Sequence, residues 1–279
     1  MSGDPEARPL GEALVDIEEA MPQFARWLYG MVRSDLGERV LDAGAGIGTY
    51  SGLMIEDGRS VVSLESVPQF VAWMRVRFAG DQRVTVLDAD LAATTGLPAF
   101  ELVDSAVCLN VLEHVEDDVL ALRNMRERVA PGGRLIALVP AHPGLFNTMD
   151  RHLGHFRRYT RRNFVARLAD GGWVVERSFY VNLFGVPGWF VAGSLLKRRS
   201  PGRDLAAVFD RLLPIFAVIE RTLARGALGL SLVASCRRAD SVPSVPPVPS
   251  PDRSTRSSPT SSPTGGRRRT CRSRARPTD

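Results

Sequence analysis

One short segment constrains this chain more than any other: Val40-Leu41-Asp42-Ala43-Gly44-Ala45-Gly46-Ile47-Gly48. An apolar run that stops at glycines reads as a buried parallel strand turning into a helix. Glycines at alternate positions let the backbone pass close beneath a ligand, where a Cβ would collide. A dinucleotide-binding loop keeps its third glycine three residues after the second, to seat a pyrophosphate. Here Gly48 follows Gly46 by two, and an acid, Asp42, precedes the first glycine. An acidic loop suits a positively charged ligand better than a diphosphate. The competing reading is a tight strand-to-helix turn that holds nothing.

The pattern around this loop predicts an α/β fold. Arg39–Ala43, Ser60–Glu65, Arg83–Leu87, Leu102–Leu109 and Arg134–Val139 read as strands. Helices are expected over Thr49–Glu56, Pro68–Phe78 (proline in its first turn), Asp117–Val129 and Thr160–Ala169 with Thr160 as N-cap. Pro131-Gly132-Gly133 is expected to turn the chain into the fifth strand. Val174–Val181 and Leu230–Cys236 close the sheet. Such alternation implies a doubly wound, Rossmann-like sheet that binds ligands at the carboxyl ends of its strands. Residues 1–36 read as an N-terminal helical cap, with Phe24, Trp27, Leu28 and Met31 on one face, and 37–238 as the main domain. Within that domain, 183–228 is an apolar helical insertion before the last strand.

Charge and cysteine content narrow the partners. The net charge of +5 is misleading, because eight arginines and three aspartates fall after Arg238. The part before them is balanced, with 28 basic and 28 acidic residues. No nucleic-acid partner is expected from a neutral core. Residues 239–279, a run of Ser, Pro, Thr and Arg, have too few apolar side chains to offset their ordering entropy and are expected to be disordered. Cys108 and Cys236 lie in apolar runs and Cys271 in the tail, so a disulfide scaffold is not expected. Met1–Leu10 lacks the layout of a signal peptide, and a cytoplasmic location is the expectation.

Further acids sit where a nucleoside would lie. Glu65 ends the second strand, where a carboxylate can accept both hydroxyls of a ribose. Asp90 follows the third strand and could take an adenine amino group with the Leu91 backbone nearby; Asp88 is the competing candidate. The fourth strand opens into Asn110-Val111-Leu112-Glu113-His114-Val115. With VLDAGAGIG, Glu65, Asp90, LNVLEHVEDD and PGGRLIALVP in this order, the chain resembles the class I S-adenosylmethionine (SAM)-dependent methyltransferases. It looks most similar to the small-molecule branch that includes the ubiquinone and menaquinone enzymes. The resemblance covers about residues 36–182 and resumes at Leu230–Arg237. It implies a bacterial-type enzyme with seven strands, the last antiparallel, and SAM as cofactor. Gly44, Gly46 and Gly48 would then pass under the methionine part, Glu65 would hold the ribose, Asp90 the adenine, and Asn110 would lie beside the methionine. Asp42 completes the expected cofactor set.

Methyl transfer from a sulfonium needs alignment and exclusion of water, and a base only when the acceptor is weakly acidic. His114, His152 and His155 are the candidate bases, His114 having the alternative reading of a helix-start residue. Some relatives hold a divalent metal with Glu-x-x-Glu-His in this segment; Asn110 stands in place of the first glutamate, and no metal is expected. Asp150 to Tyr159 packs two histidines, three arginines and a tyrosine into ten residues. A similar GH-x-RRY stretch occurs in bacterial methyltransferases found beside cell-surface glycosyltransferases. Arg157 and Arg158, with Tyr159, are expected to hold an anionic group of the acceptor, the alternative being a solvated basic face. The insertion, with Phe184, Val186, Trp189, Phe190, Leu195 and Leu196 before Lys197-Arg198-Arg199, reads either as a lid, as a segment resting on a membrane surface, or as cover for the sheet edge. The expected function is therefore O- or C-methylation of a small or lipid-linked, saccharide- or quinone-like acceptor. A catalytically silent SAM-fold partner and an NAD-dependent dehydrogenase are the alternatives.

Overall fold

A computed structural model describes residues 10–200, 202–224 and 226–239. The sequence expectation of a disordered tail therefore lies outside the described residues, apart from Ala239.

The sheet has seven strands in the order β3-β2-β1-β4-β5-β7-β6. These are β1 (Arg39–Ala43), β2 (Ser60–Glu65), β3 (Val84–Asp88), β4 (Val103–Leu109), β5 (Val129–Pro140), β6 (Trp173–Val181) and β7 (Ser231–Arg238). The first five pair in parallel, and β7 runs antiparallel between β5 and β6. The order reverses between β1 and β4, and a sheet of this kind opens a crevice for ligands at that point. Buried clusters cover both faces. One is built around Leu41, Leu122, Tyr159 and Trp173, the other around Leu28, Val40, Met54 and Ile136. Strands covered on both sides need apolar residues at nearly every position, as RLIALV in β5 has.

Helices α3 (Thr49–Glu56), α4 (Pro68–Arg77), α5 (Asp118–Arg128), α6 (Thr148–His152) and α7 (Arg161–Asp170) connect the strands. Asp117 caps α5 by accepting from Leu120 N, and Thr160 caps α7 by accepting from Asn163 N. The N-terminal segment folds into α1 (Leu10–Ala20) and α2 (Pro22–Val32), the latter burying Ala25, Leu28, Tyr29 and Val32. The insertion forms α8 (Gly185–Trp189), a π-helical turn over Phe190–Leu195, α9 (Arg203–Ile219) and a second π-helical turn over Glu220–Ala224. Among the described residues no helix is long and apolar enough to cross a membrane.

One boundary departs from the sequence expectation. Pro131-Gly132-Gly133 does not precede β5 as a turn but lies inside it, where the pairing with β4 is irregular between Val103 and Ser105. Gly132 adopts a φ of 76°, and a Cβ on Gly133 would meet the Asp104 carbonyl oxygen at 2.6 Å. The glycines thus let one strand keep pairing across an irregularity instead of breaking it.

Candidate active site

The glycine loop leaves β1 at the reversal point. Gly44, Gly46 and Gly48 adopt φ values of 76°, 56° and 80°, a region that side-chain-bearing residues disfavour. Gly44 and Ala45 N–H groups both donate to the Leu64 carbonyl, which ties the loop to β2. Two of the glycines are required by packing as well. A Cβ on Gly44 would lie 2.5 Å from Val111, and one on Gly48 would lie 2.7 Å from the Phe78 ring. Gly46 differs, because the nearest atom to its would-be Cβ is Glu18 Oε1 at 3.7 Å. Its open side is the place where a ligand can approach the backbone.

Carboxylates lie close to the loop. Asp42 is buried and accepts a 2.6 Å hydrogen bond from Ser51 Oγ, which also lies 2.8 Å from Ser63 Oγ. Burial pushes the Asp42 carboxyl up to about 6, opposed by the Ser51 hydrogen bond and aided by the nearby Glu18 and Glu65. Glu65, buried at the end of β2, accepts from Gly46 N at 2.8 Å and from Ser66 N and Val67 N at 2.9 Å. Glu18 reaches the loop from α1 and accepts from Thr49 Oγ1 at 2.8 Å. Desolvation beside the loop raises its carboxyl above the usual range. Sequence reasoning missed Glu18, because nothing local ties an exposed-looking helix acid to a loop some thirty residues on.

The remaining cofactor candidates lie along the same strand ends. Asp90 is exposed, with Oδ1 accepting from Ala92 N at 2.8 Å. Asp88 is also exposed and stands in register with Glu65, as the last residue of β3. Leu91 is buried, and its carbonyl accepts from Asn124 Nδ2 at 2.7 Å, so α5 fixes this loop through a residue the sequence did not single out. Asn110 is exposed just past β4 with a φ of 56°, and its N–H donates to the Leu138 carbonyl.

Beyond Asn110, a single turn of 3-10 helix over Leu112–His114 meets the loop after β5. Phe156 N donates to the Glu113 carbonyl and joins the two. The rings of His114 and His155 stand edge to face, 4.6 Å apart. The potential ligand atoms of Glu113, His114 and His155 lie within 4.8 Å of one another, a spacing that suits a proton relay or a divalent cation. His155 reaches this group from another loop, so the linear motif around Asn110 does not reveal the cluster. Glu113 is 1% exposed and its Oε2 has no hydrogen-bond partner among the described residues. Burial pushes its carboxyl up to about 8 and holds the His114 imidazole down to about 4.

Asp150 organises the loop that delivers His155. Fully buried, it accepts from His155 Nδ1 and Arg158 Nε at 2.8 Å, from Asn147 N at 3.0 Å and from Trp189 Nε1 at 3.3 Å. His155 is thereby fixed through Nδ1, which leaves Nε2 for chemistry. His152 closes the short helix α6, half-buried, and is not part of the group formed by Glu113, His114 and His155.

The expected anion clamp needs correction. Arg158 is buried, donates to Asp150 and to the Ala141 carbonyl, and stacks over Trp189 at 4.7 Å. Arg157 donates to the Val115 and Glu116 carbonyls and pairs with Asp118 at 3.2 Å. Tyr159 is 1% exposed and donates to the Leu112 carbonyl and Asp118. The hydrogen bonds of these side chains run to groups inside the protein and hold the loop in place, with Arg157 alone of the three partly exposed.

Comparison with known proteins fits this geometry. Residues 41–137 match the family model described as a methyltransferase domain. This segment is a class I SAM-dependent methyltransferase domain. Glycine N-methyltransferase of Rattus norvegicus is 28% identical over 136 residues, 43% of this chain and 46% of that protein. A ubiquinone biosynthesis O-methyltransferase of Xanthomonas oryzae pv. oryzae is 34% identical over 113 residues, 38% of this chain and 45% of that one. The chain thus spans about half the length of the curated relatives it matches. Among solved structures, a SAM-dependent methyltransferase from Mesorhizobium loti superposes with a TM-score of 0.54 at 19% identity, covering 77% of this chain and 98% of its own. The [4+2]-cyclase SpnF does so at 0.51 and 16%, covering 78% and 80%. A methyltransferase domain on this sheet therefore leaves the reaction to be argued from the site.

Proposed function

We propose that the chain binds SAM along the Gly44–Gly48 edge and passes its methyl group to a small or lipid-linked acceptor, by O- or C-methylation, beside His155. The observation that carries this is the open side of Gly46, flanked by Glu18 and Glu65, with the buried Asp42 within electrostatic reach of both. A ligand bearing ammonium and sulfonium charge gains from such a group of acids, and a diphosphate is repelled by it. That contrast also disfavours the dehydrogenase alternative. Glu65 would take the ribose hydroxyls with its remaining acceptor capacity, while Asp90 and the Leu91 backbone take the adenine. Asn110 would lie beside the methionine portion.

SAM supplies an activated methyl carbon, so the protein's task is to align the acceptor and remove its proton where needed. His155, oriented by Asp150 on the loop after β5, would offer Nε2 as the base. Glu113 and His114 lie beside it. The apolar cleft lined by His142, Leu145, Leu183, Val186, Leu228 and Gly229, about 390 Å³ in volume, offers space for an acceptor with a hydrocarbon portion.

Calorimetric titration of the full chain with S-adenosylhomocysteine tests the cofactor half. Wild type is expected to bind, and Glu65→Ala to bind at least tenfold more weakly, the ~1.4 kcal/mol of one lost charge-assisted hydrogen bond. Equal affinity in a folded Glu65→Ala protein overturns the assignment. No binding by wild type brings forward the silent-partner reading.

A further inference from the structure

Helix α9 is apolar on two faces. Its inner face is covered: Ala206 and Leu213 are buried, Phe209 packs against Phe24, and Phe216 stacks on Phe184 at 4.4 Å. Its outer face is not. Leu205, Val208, Leu212, Ile215 and Val218 recur every three or four residues and are 40–59% exposed. A helix apolar all round belongs in a core or against an apolar medium. Exposed large apolar side chains also gather at Phe190, Val191, Leu195 and Leu196, just ahead of Lys197, whereas those at Val76 and Leu102 stand alone.

Charge indicates what covers the stripe. Residues 1–238 are balanced in charge, yet Lys197, Arg198 and Arg199, directly before α9, are all exposed, and Arg211 lies exposed on α9 itself. Asp204 is the only exposed acid from residue 190 to 219, because Asp210 is turned inward to accept from the Gln23 and Phe24 N–H groups. An apolar helical face bordered by cations matches the interface of an anionic bilayer, with hydrocarbon below and phosphate at the rim. A second copy of the chain would bring the same cations against themselves.

We infer that the outer face of α9, with the basic segment 197–199, rests on an anionic lipid surface. This deepens the lipid-linked acceptor reading by placing the apolar cleft's owner at the membrane; its test reads vesicle binding, so it stands or fails separately from methyl transfer.

The experiment is flotation of the full chain with phosphatidylcholine vesicles, with and without phosphatidylglycerol. The variant is Leu212→Ser/Ile215→Ser, whose exposed positions leave the fold intact, as a thermal melt verifies. Wild type is expected to float with the anionic vesicles alone and to release in high salt, and the variant to lose at least fivefold in bound fraction. Absence of flotation overturns the inference. Flotation undiminished in the variant overturns it too, since another surface, such as the arginines after residue 250, would then be responsible. Self-association in the ultracentrifuge that the variant abolishes, without vesicle binding, replaces the bilayer with a second copy.

Discussion

Single carboxyl groups around the glycine loop make opposite contributions to stability and to binding. Asp42 costs the empty protein free energy, because its ionised form is buried near Glu18 and Glu65. Its folded-state pKa, about 6, lies above the ordinary 3.8, so the native state favours the protonated form. The stability this group supplies is complete below pH 3.8 and is lost as pH rises through about 6. Asp42→Asn removes that titration. The variant is expected to match wild type near pH 4 and to be more stable at pH 8, by no more than ~3 kcal/mol. Chemical denaturation of the unliganded proteins at both pH values measures the difference. A gap that is constant with pH would mean that Asp42 does not titrate in this range. The same substitution should weaken S-adenosylhomocysteine binding if the ligand's ammonium group is what offsets the buried charge. Asp42 was legible in the sequence from its place before the glycines, whereas Glu18 was not, because its role depends on where α1 docks.

At the scale of the element, three glycines that look equivalent in sequence separate into two kinds. Gly48→Ala forces a Cβ to within 2.7 Å of the Phe78 ring at positive φ, so it should destabilise the fold by more than ~1 kcal/mol. Gly46→Ala meets nothing closer than 3.7 Å and should cost only the ~1 kcal/mol of backbone strain. Yet Gly46→Ala places a methyl on the open side, and so should lose S-adenosylhomocysteine affinity while keeping its melting temperature near wild type. Equal ligand affinity in that variant would show that the cofactor passes elsewhere. The loop after β5 teaches the converse lesson. Its density of arginine and histidine was visible, but its direction was not, because composition cannot say whether a guanidinium faces in or out. Arg158 faces in, against a fully buried Asp150. Arg158→Ala would remove the guanidinium from that buried carboxylate, at a cost on the order of 3–5 kcal/mol, and leave His155 loosened. A melting temperature lowered by several degrees, together with loss of turnover, fits the packed geometry. A rise in acceptor KM alone, with stability intact, would restore the anion clamp. The strands and the first turns of the helices were readable because apolar runs, prolines and caps are local signals. The PGG irregularity was misplaced because pairing across it depends on β4.

Across the described molecule, the cap and the insertion act together, though they lie at opposite ends of the sequence. Helix α9 packs against α1 and α2, and its Asp210 accepts from Gln23 N at 3.1 Å and from Phe24 N at 2.7 Å. These are the first turn of α2, where unpaired N–H groups welcome a carboxylate. Met21, at the N-cap position, supplies no side-chain acceptor. A residue from the insertion therefore caps a helix of the N-terminal segment, and α1, next to it, carries Glu18 to the glycine loop. The insertion and the acid beside the glycine loop thus belong to one packed unit. Asp210→Ala should lower stability by about 1–2 kcal/mol through the lost cap. Because α1 then loses part of its support, the variant should also bind S-adenosylhomocysteine several-fold more weakly, although Asp210 itself is a ligand to neither site. Thermal melts and calorimetry on the same preparation separate the two effects. A lowered melting temperature with unchanged affinity would mean that α1 holds Glu18 in place without help from the insertion. A fall in both would mean that the insertion, through α2 and α1, helps hold Glu18 against the glycine loop.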